Sequence, residues 1–238
     1  MRIIKPSVEI IEQGQGLDGI YKQIEIAGRE CYASTHKIGE DTARGFAVRM
    51  ITSGHGAMLE HGTVYLKMPL EEFEGSDRIC VAHGRTHAIA AGNTAYVTTN
   101  YRVLVERNCL DLLKYMCDTP LPEHELRVTA RFNCQIAISR EYNRHRVDSI
   151  AEQSTRYCNY SKDKYGNEIA INMPSWLLGR EDEVSQSIAE KELAYYAQYM
   201  LSSKFDKVQP DKKWADIDYW LFANLAAEWS YMRLTECG

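Results

Sequence analysis

The stretch Arg140-Glu141-Tyr142-Asn143-Arg144-His145-Arg146-Val147-Asp148-Ser149-Ile150-Ala151-Glu152-Gln153-Ser154-Thr155-Arg156-Tyr157 gathers four arginines, one histidine and three acids. Arg144, His145 and Arg146 are consecutive, so a helix would fan them over three directions and a strand over two faces. They cannot all serve one small anion. They suit an extended ligand with several acceptors, such as a dinucleotide or a pair of nucleotides, because the planar guanidinium matches phosphate and carbonyl oxygens two at a time. Glu152, Ser154 and Arg156 alternate, and in an extended segment they point the same way. A hydroxyl, an arginine and free backbone N–H groups make a nest for a phosphate monoester. The competing reading is a solvated face on which the arginines answer Glu141, Asp148 and Glu152, where ion pairs contribute a median of ~0–1 kcal/mol. Composition alone leaves both open. As a nucleophile Ser154 has no histidine at an obvious general-base position beside it, so a ligand-binding role is favoured.

Two further sets of reactive side chains carry less. His83, Gly84, Arg85 and His87 could suggest a metal pair, but no carboxylate or thiol stands at ligand spacing, and a polar loop is the better reading. The seven cysteines, at 31, 80, 109, 117, 134, 158 and 237, are odd in number and form no C-x-x-C pair. This argues against a disulfide framework or a four-cysteine zinc site and for free thiols in a reducing compartment. The opening Met-Arg-Ile-Ile-Lys-Pro has no secretory apolar region, and no run approaches ~18 apolar residues, so the chain reads as cytosolic.

The elements that must position the strip belong to a chain of 238 residues, 45% hydrophobic and 26% charged, which excludes disorder, collagen and coiled coil as the main class. The net charge of −5 suits sequence-independent coating of nucleic acid poorly. Branched residues mark a strand near 3–11. Phe46, Ala47, Met50 and Ile51 recur at helical spacing within 41–53, and Gly54 stands where that helix stops. Alternation over 63–68 predicts a strand with one buried face. Within 71–126, Tyr96 to Val105 fits a strand or part of a helix, and Asp111 to Cys117 a short helix. From Val128 the even positions are apolar through Ile138, which predicts a strand that turns helical before Arg144. Tyr165-Gly166-Asn167 marks a turn. Helical patterns run near Glu183–Phe205 and Ala215–Glu236, separated by Val208 to Lys213 with Pro210. The sum is a single α+β domain, a mixed sheet with flanking helices.

Arg144-His145-Arg146, seven residues and then Ser154 resembles the signature of the flavin-dependent thymidylate synthases. Ser149, Glu152, Arg156 and Tyr157 fit its longer form. Gly54-His55-Gly56-Ala57-Met58-Leu59-Glu60-His61 resembles the family's Gly-His-Glu block, and Arg29-Glu30-Cys31-Tyr32 a segment near its start. The resemblance implies the family's fold and a homotetramer with active sites between subunits, with no membrane or nucleic-acid partner. It implies FAD contacted by Arg144, His145 and Arg146, with His55 and Ala57 lining its site and Glu152 between flavin and nucleotide. It implies that Gln153, Ser154, Thr155 and Arg156 hold the phosphate and base of dUMP, that Glu141, Arg144 and Glu152 also touch the nucleotide, and that Arg144, Glu152 and Ser154 are the catalytic candidates. The implied reaction is reductive methylation of dUMP to dTMP, with methylenetetrahydrofolate supplying the carbon and NADPH the hydride through the flavin.

The chain departs from that pattern in three places. Residues from about 69 to 126 are additional, an insertion of unassigned purpose. Gly56 stands where the family has Glu, Ala57 where it often has Thr, and Ala151 where it often has Asn. Ala226 to Gly238 resembles the helix that precedes the family's last arginine- and asparagine-bearing segments, and those segments do not follow. Two explanations stay open: a piece of a longer protein, or a relative that binds nucleotide and flavin with impaired catalysis. A protein whose arginine strip contacts RNA is a third and weaker reading.

Overall fold

The computed structural model describes residues 1–75, 79, 85–145, 147–154, 158–162, 168–188, 191 and 214–237. Within these the chain is α+β and falls into two compact units. The first comprises Met1–Val8, Phe132–Ile138 and Asn159–Gly238; the second comprises Glu9–Arg131 and Ser139–Cys158. The expected turn at Tyr165–Asn167, the Val208–Lys213 break and most of the expected Glu183–Phe205 helix lie outside the described residues.

The second unit is built on an antiparallel sheet of β3 (Thr63–Pro69), β5 (Thr94–Asn100) and β4 (His87–Ala91), in the order β3-β5-β4. A Gly92-Asn93 turn, with Gly92 at φ +58°, joins β4 to β5. Tyr96 to Val105, readable as strand or helix, is both. The strand ends at Asn100, whose side chain accepts from the Val103 N–H and caps α5 (Tyr101–Glu106). Alternation predicted one buried face for β3, yet Thr63, Val64, Tyr65, Leu66 and Met68 are all buried. The segment after α5 closes over it: the Cys117 N–H donates to the Tyr65 carbonyl, and His124 lies against the Tyr65 ring and bonds the Leu66 carbonyl. Asp111 to Cys117, expected as a short helix, is a 3-10 turn over Leu110–Tyr115.

Two helices pack together beside this sheet: α1 (Gly16–Cys31) and α2 (Thr42–Thr52). α2 matches its apolar spacing. α1 buries Ile20, Ile24 and Ala27 on one face, together with the charged pair Glu25 and Arg29. Arg29 Nη2 lies 2.7 Å from Glu25, whose other oxygen accepts from Thr42 at 2.8 Å, and the Arg29 guanidinium stands 5.0 Å over the Phe46 ring. A buried charge needs such partners. Here they tie α1 to α2 at the end where Cys31 and Tyr32 emerge. The short α3 (Gly56–Leu59) follows α2, and α6 (Ile136–Tyr142) leads into the arginine strip after β6 (Thr129–Asn133), the strand-then-helix order predicted from Val128.

In the first unit β1 (Arg2–Ile4) pairs in parallel with β7 (Ala170–Asn172), and β2 (Ser7–Ile11) begins. Met173, Leu177, Val184, Ile217, Leu221 and Leu225 form its core, carried in part by a helix over 181–188 (α7) and by α8 (Asp216–Cys237). Glu228 of α8 pairs with the N-terminal ammonium at 3.0 Å. Among the described residues no helix is long and apolar enough to cross a membrane.

Candidate functional site

The site is assembled from turns whose geometry fixes a few side chains. α2 stops in a Schellman motif: Gly54 adopts φ +72°, its N–H bonds the Ile51 carbonyl at 3.2 Å, and the His55 N–H bonds the Met50 carbonyl at 2.9 Å. His55 is thereby held just past the helix end. Its Nδ1 shares a 3.2 Å hydrogen bond with the Tyr32 hydroxyl, and the two rings are stacked. α3 starts at the next residue and carries Ala57 outward, with Glu60 one position beyond its end.

α6 and the segment after it form the second half. The Glu152 carboxylate, 29% exposed, is a hub: Ser139 Oγ donates to one oxygen at 2.7 Å, and Arg140 Nη1 and Asn143 Nδ2 donate to the other, each at 3.0 Å. Asp148 accepts from the Tyr142 hydroxyl at 2.7 Å and lies 3.3 Å from His145 Nδ1, while the Tyr142 and His145 rings stack within 10° of parallel. The bond to Asp148 pushes the Tyr142 hydroxyl pKa up. Arg144 has only a loose pair with Glu141 at 3.8 Å, and the two side chains are 79% and 80% exposed. Two tethers from this segment, and one from Arg131 of the preceding β6, reach the other motif blocks. Ser149 Oγ donates to Glu60 at 2.6 Å, the Ser154 N–H donates to the Cys31 carbonyl at 2.9 Å, and Arg131 Nη1 lies 2.7 Å from Glu30.

Three blocks far apart in sequence, 29–32, 54–61 and 140–154, therefore meet. His55 and Ala57 stand exposed, as do Glu141, Arg144 and Gln153, and His145 is 63% exposed; Glu152 and Ser154 are half-buried. Arg146, Thr155 and Arg156 lie outside the described residues, as does His83 of the metal-pair reading. Among the described residues no group of three or more His, Cys, Asp or Glu side chains could hold a metal ion. The ion-pair reading of the strip is realised for Arg140, which is committed to Glu152, and only loosely for Arg144. The free-nest reading fails at one atom, because the Ser154 N–H already serves Cys31. Burial, with Cys158 and Glu152 adding smaller effects, pushes the Cys31 thiol pKa up, so Cys31 packs as a neutral group here.

Residue types alone missed Ser139 and Asn143, which anchor Glu152, and Arg102 and Arg85, which reach Glu60. Helical spacing back from Asn143 was the available signal for Ser139. For the two arginines nothing in the local sequence pointed there.

A protein-family model described as thymidylate synthase complementing protein matches residues 69–212, more than half of the chain. The matched span takes in the 69–126 segment. No curated protein and no solved structure matches the chain.

Proposed function

The chain belongs to the thymidylate synthase complementing protein family, the flavin-dependent thymidylate synthases, and on that premise we propose that it methylates dUMP to dTMP. In this reading FAD is the cofactor, with methylenetetrahydrofolate and NADPH as co-substrates. The observation that carries it is the convergence of the three blocks: Tyr32 on His55, Ser154 on Cys31 and Ser149 on Glu60.

The donor set suits a dinucleotide. Arg144 and His145 stand exposed, and their acidic neighbours leave both accessible to solvent. In a chain of net charge −5 such cations concentrate attraction for phosphate locally. Arg144, His145 and Arg146, with His55 and Ala57, would hold the flavin, which when bound supplies the redox chemistry.

The chain's own residues bind and orient. Arg144 offers donors that stabilise negative charge on the oxygens of a uracil ring. A carboxylate has about four acceptor sites, and among the described residues Glu152 uses three of them on Ser139, Arg140 and Asn143. It therefore acts by holding the segment in register with α6 rather than as a free general base. Ser154 is fixed through its backbone, which suits a hydroxyl that binds phosphate or base together with Gln153, Thr155 and Arg156, with Glu141 alongside. The exposed Arg144, and Val147 at 83% exposure, suit a surface completed by another copy in a homotetramer. The free thiols at all six described cysteines suit the cytosol.

The test is an absorbance spectrum of the purified protein, a dUMP titration and an assay for dTMP with methylenetetrahydrofolate and NADPH. Near-stoichiometric flavin and product formation are expected. Binding of FAD and dUMP without dTMP would reduce the protein to a binding relative, and a colourless protein that FAD cannot reconstitute would overturn the reading.

A further inference from the structure

We propose that Glu60 is a positioning residue that clamps the Arg144–Ser154 segment to the 69–126 segment, so that this stretch is part of the site's scaffold. The inference deepens the functional reading above and rests on it for the identity of the ligand. The Glu60 side chain is only 10% exposed, and a carboxylate that buried requires charged or hydroxyl partners. It has three. Arg102 Nη1 donates to one oxygen, Arg85 Nη2 lies 3.1 Å from the same oxygen, and Ser149 Oγ donates to the other at 2.6 Å. Both arginines come from the 69–126 segment, and the serine comes from the strip.

The delivery of Arg102 is built into the backbone. The Tyr101 N–H donates to the Gly62 carbonyl at 2.8 Å, and Asn100 caps α5, so the first turn of α5 starts against the chain just after Glu60. Arg102 Nε also donates to Glu106 at 2.6 Å, which fixes the guanidinium between two carboxylates. Gly56 supplies the space. A Cβ there would lie 3.1 Å from Arg102 Nε and 3.2 Å from Glu106 Oε1, so the ion pair occupies the position a larger side chain would need. The glycine at 56 and the Arg102–Glu106 pair of the 69–126 segment are two sides of one packing arrangement. Arg85 is held in turn by its carbonyl, which accepts from Arg127 Nη2 at 2.8 Å.

Between Val147 and Gln153, Asp148, Ser149 and Glu152 each make side-chain hydrogen bonds. Ser149 ties the segment to Glu60 in the sheet-bearing part of its unit, beside Ala151, which packs against the core of that unit. Loss of that bond removes a polar tie to the buried carboxylate and leaves the Ala151 packing and the Ser154–Cys31 bond in place.

The experiment is amide hydrogen exchange on the unliganded full chain, read over 147–154, together with dUMP titration. Ser149→Ala and Glu60→Gln should each speed exchange of those amides by about tenfold, leaving the amides of β3 and β5 at wild-type rates. Ser149→Thr, which keeps the hydroxyl, should restore the wild-type rate. In the titration Ser149→Ala and Arg102→Lys should each weaken dUMP binding by about fivefold, and the double variant little beyond the larger single effect, because both act through one carboxylate. Wild-type exchange in Ser149→Ala overturns the clamp, as do effects on binding that multiply. Faster exchange in a protein whose wild type does not bind dUMP sustains the clamp and overturns the nucleotide reading. Should Glu60→Gln fail to fold, the Ser149 and Arg102 variants decide alone.

Discussion

At the scale of single residues, the site separates arginines held in tight ion pairs from one that stands exposed. Arg29 and Arg140 are committed to Glu25 and Glu152, whereas Arg144 shares only a 3.8 Å exposed pair with Glu141. Exposed pairs of that kind contribute little to folding. Arg144→Ala should therefore leave the unfolding free energy within about 0.5 kcal/mol of wild type while abolishing flavin retention. Denaturant titration and the flavin absorbance of the purified variant check the two halves separately, and full flavin occupancy would sink the assignment. Ser154→Ala should weaken dUMP binding more than it slows turnover, read as KM against kcat. A complete loss of turnover with normal binding would restore the nucleophile reading.

At the scale of elements, one turn decides whether His55 is in place. Gly54 sits at φ +72°, a conformation that costs a residue with a Cβ roughly 1–2 kcal/mol. Gly54→Ala should lower stability by about that amount and also weaken flavin retention, because the same turn sets the start of α3 and the His55–Tyr32 bond. A stability loss with unchanged flavin occupancy would separate the turn from the site. This turn was readable in the sequence, since the apolar spacing of α2 ends immediately before a glycine. The order of strand then helix from Val128 was readable too, but not its boundary, because the alternation runs on through Ile138 into α6. α1 was not. Glycines at 16, 19 and 28 lower its helix propensity, and Glu25 and Arg29 interrupt its apolar face, although in the folded chain they are buried against Thr42 and Phe46. The Glu60 clamp was equally hidden. Its carboxylate was visible within the Gly-His block, but Arg85 and Arg102 reach it from 25 and 42 positions away, across a hairpin whose only local signal was Gly92-Asn93.

At the scale of the whole molecule, the groups displaced by folding titrate in two ranges. In the second unit, burial pushes the His61 pKa below its ordinary 6.5, against a smaller opposing pull from Glu60. Its Nε2 is buried without a hydrogen-bond partner among the described residues. The unfolded chain then binds a proton on this ring at a pH where the folded chain does not. Stability tied to His61 is therefore fully present above about pH 6.5 and falls as the pH drops below it. In the first unit, Glu181 and Asp216 are held below their ordinary 4.5 and 3.8, chiefly by hydrogen bonds from Lys5 and Arg180 respectively. Their contribution is present above those values and is lost only as the pH falls further. Acid should thus weaken the chain in two steps, a histidine step that sets in below about pH 6.5 and a carboxylate step below about 4.5. Denaturant midpoints measured at pH 7.5, 5.5 and 4 should show both steps in the wild type. His61→Asn should flatten the first step and leave the second in place. A first step of equal size in His61→Asn would assign that loss of stability to another group.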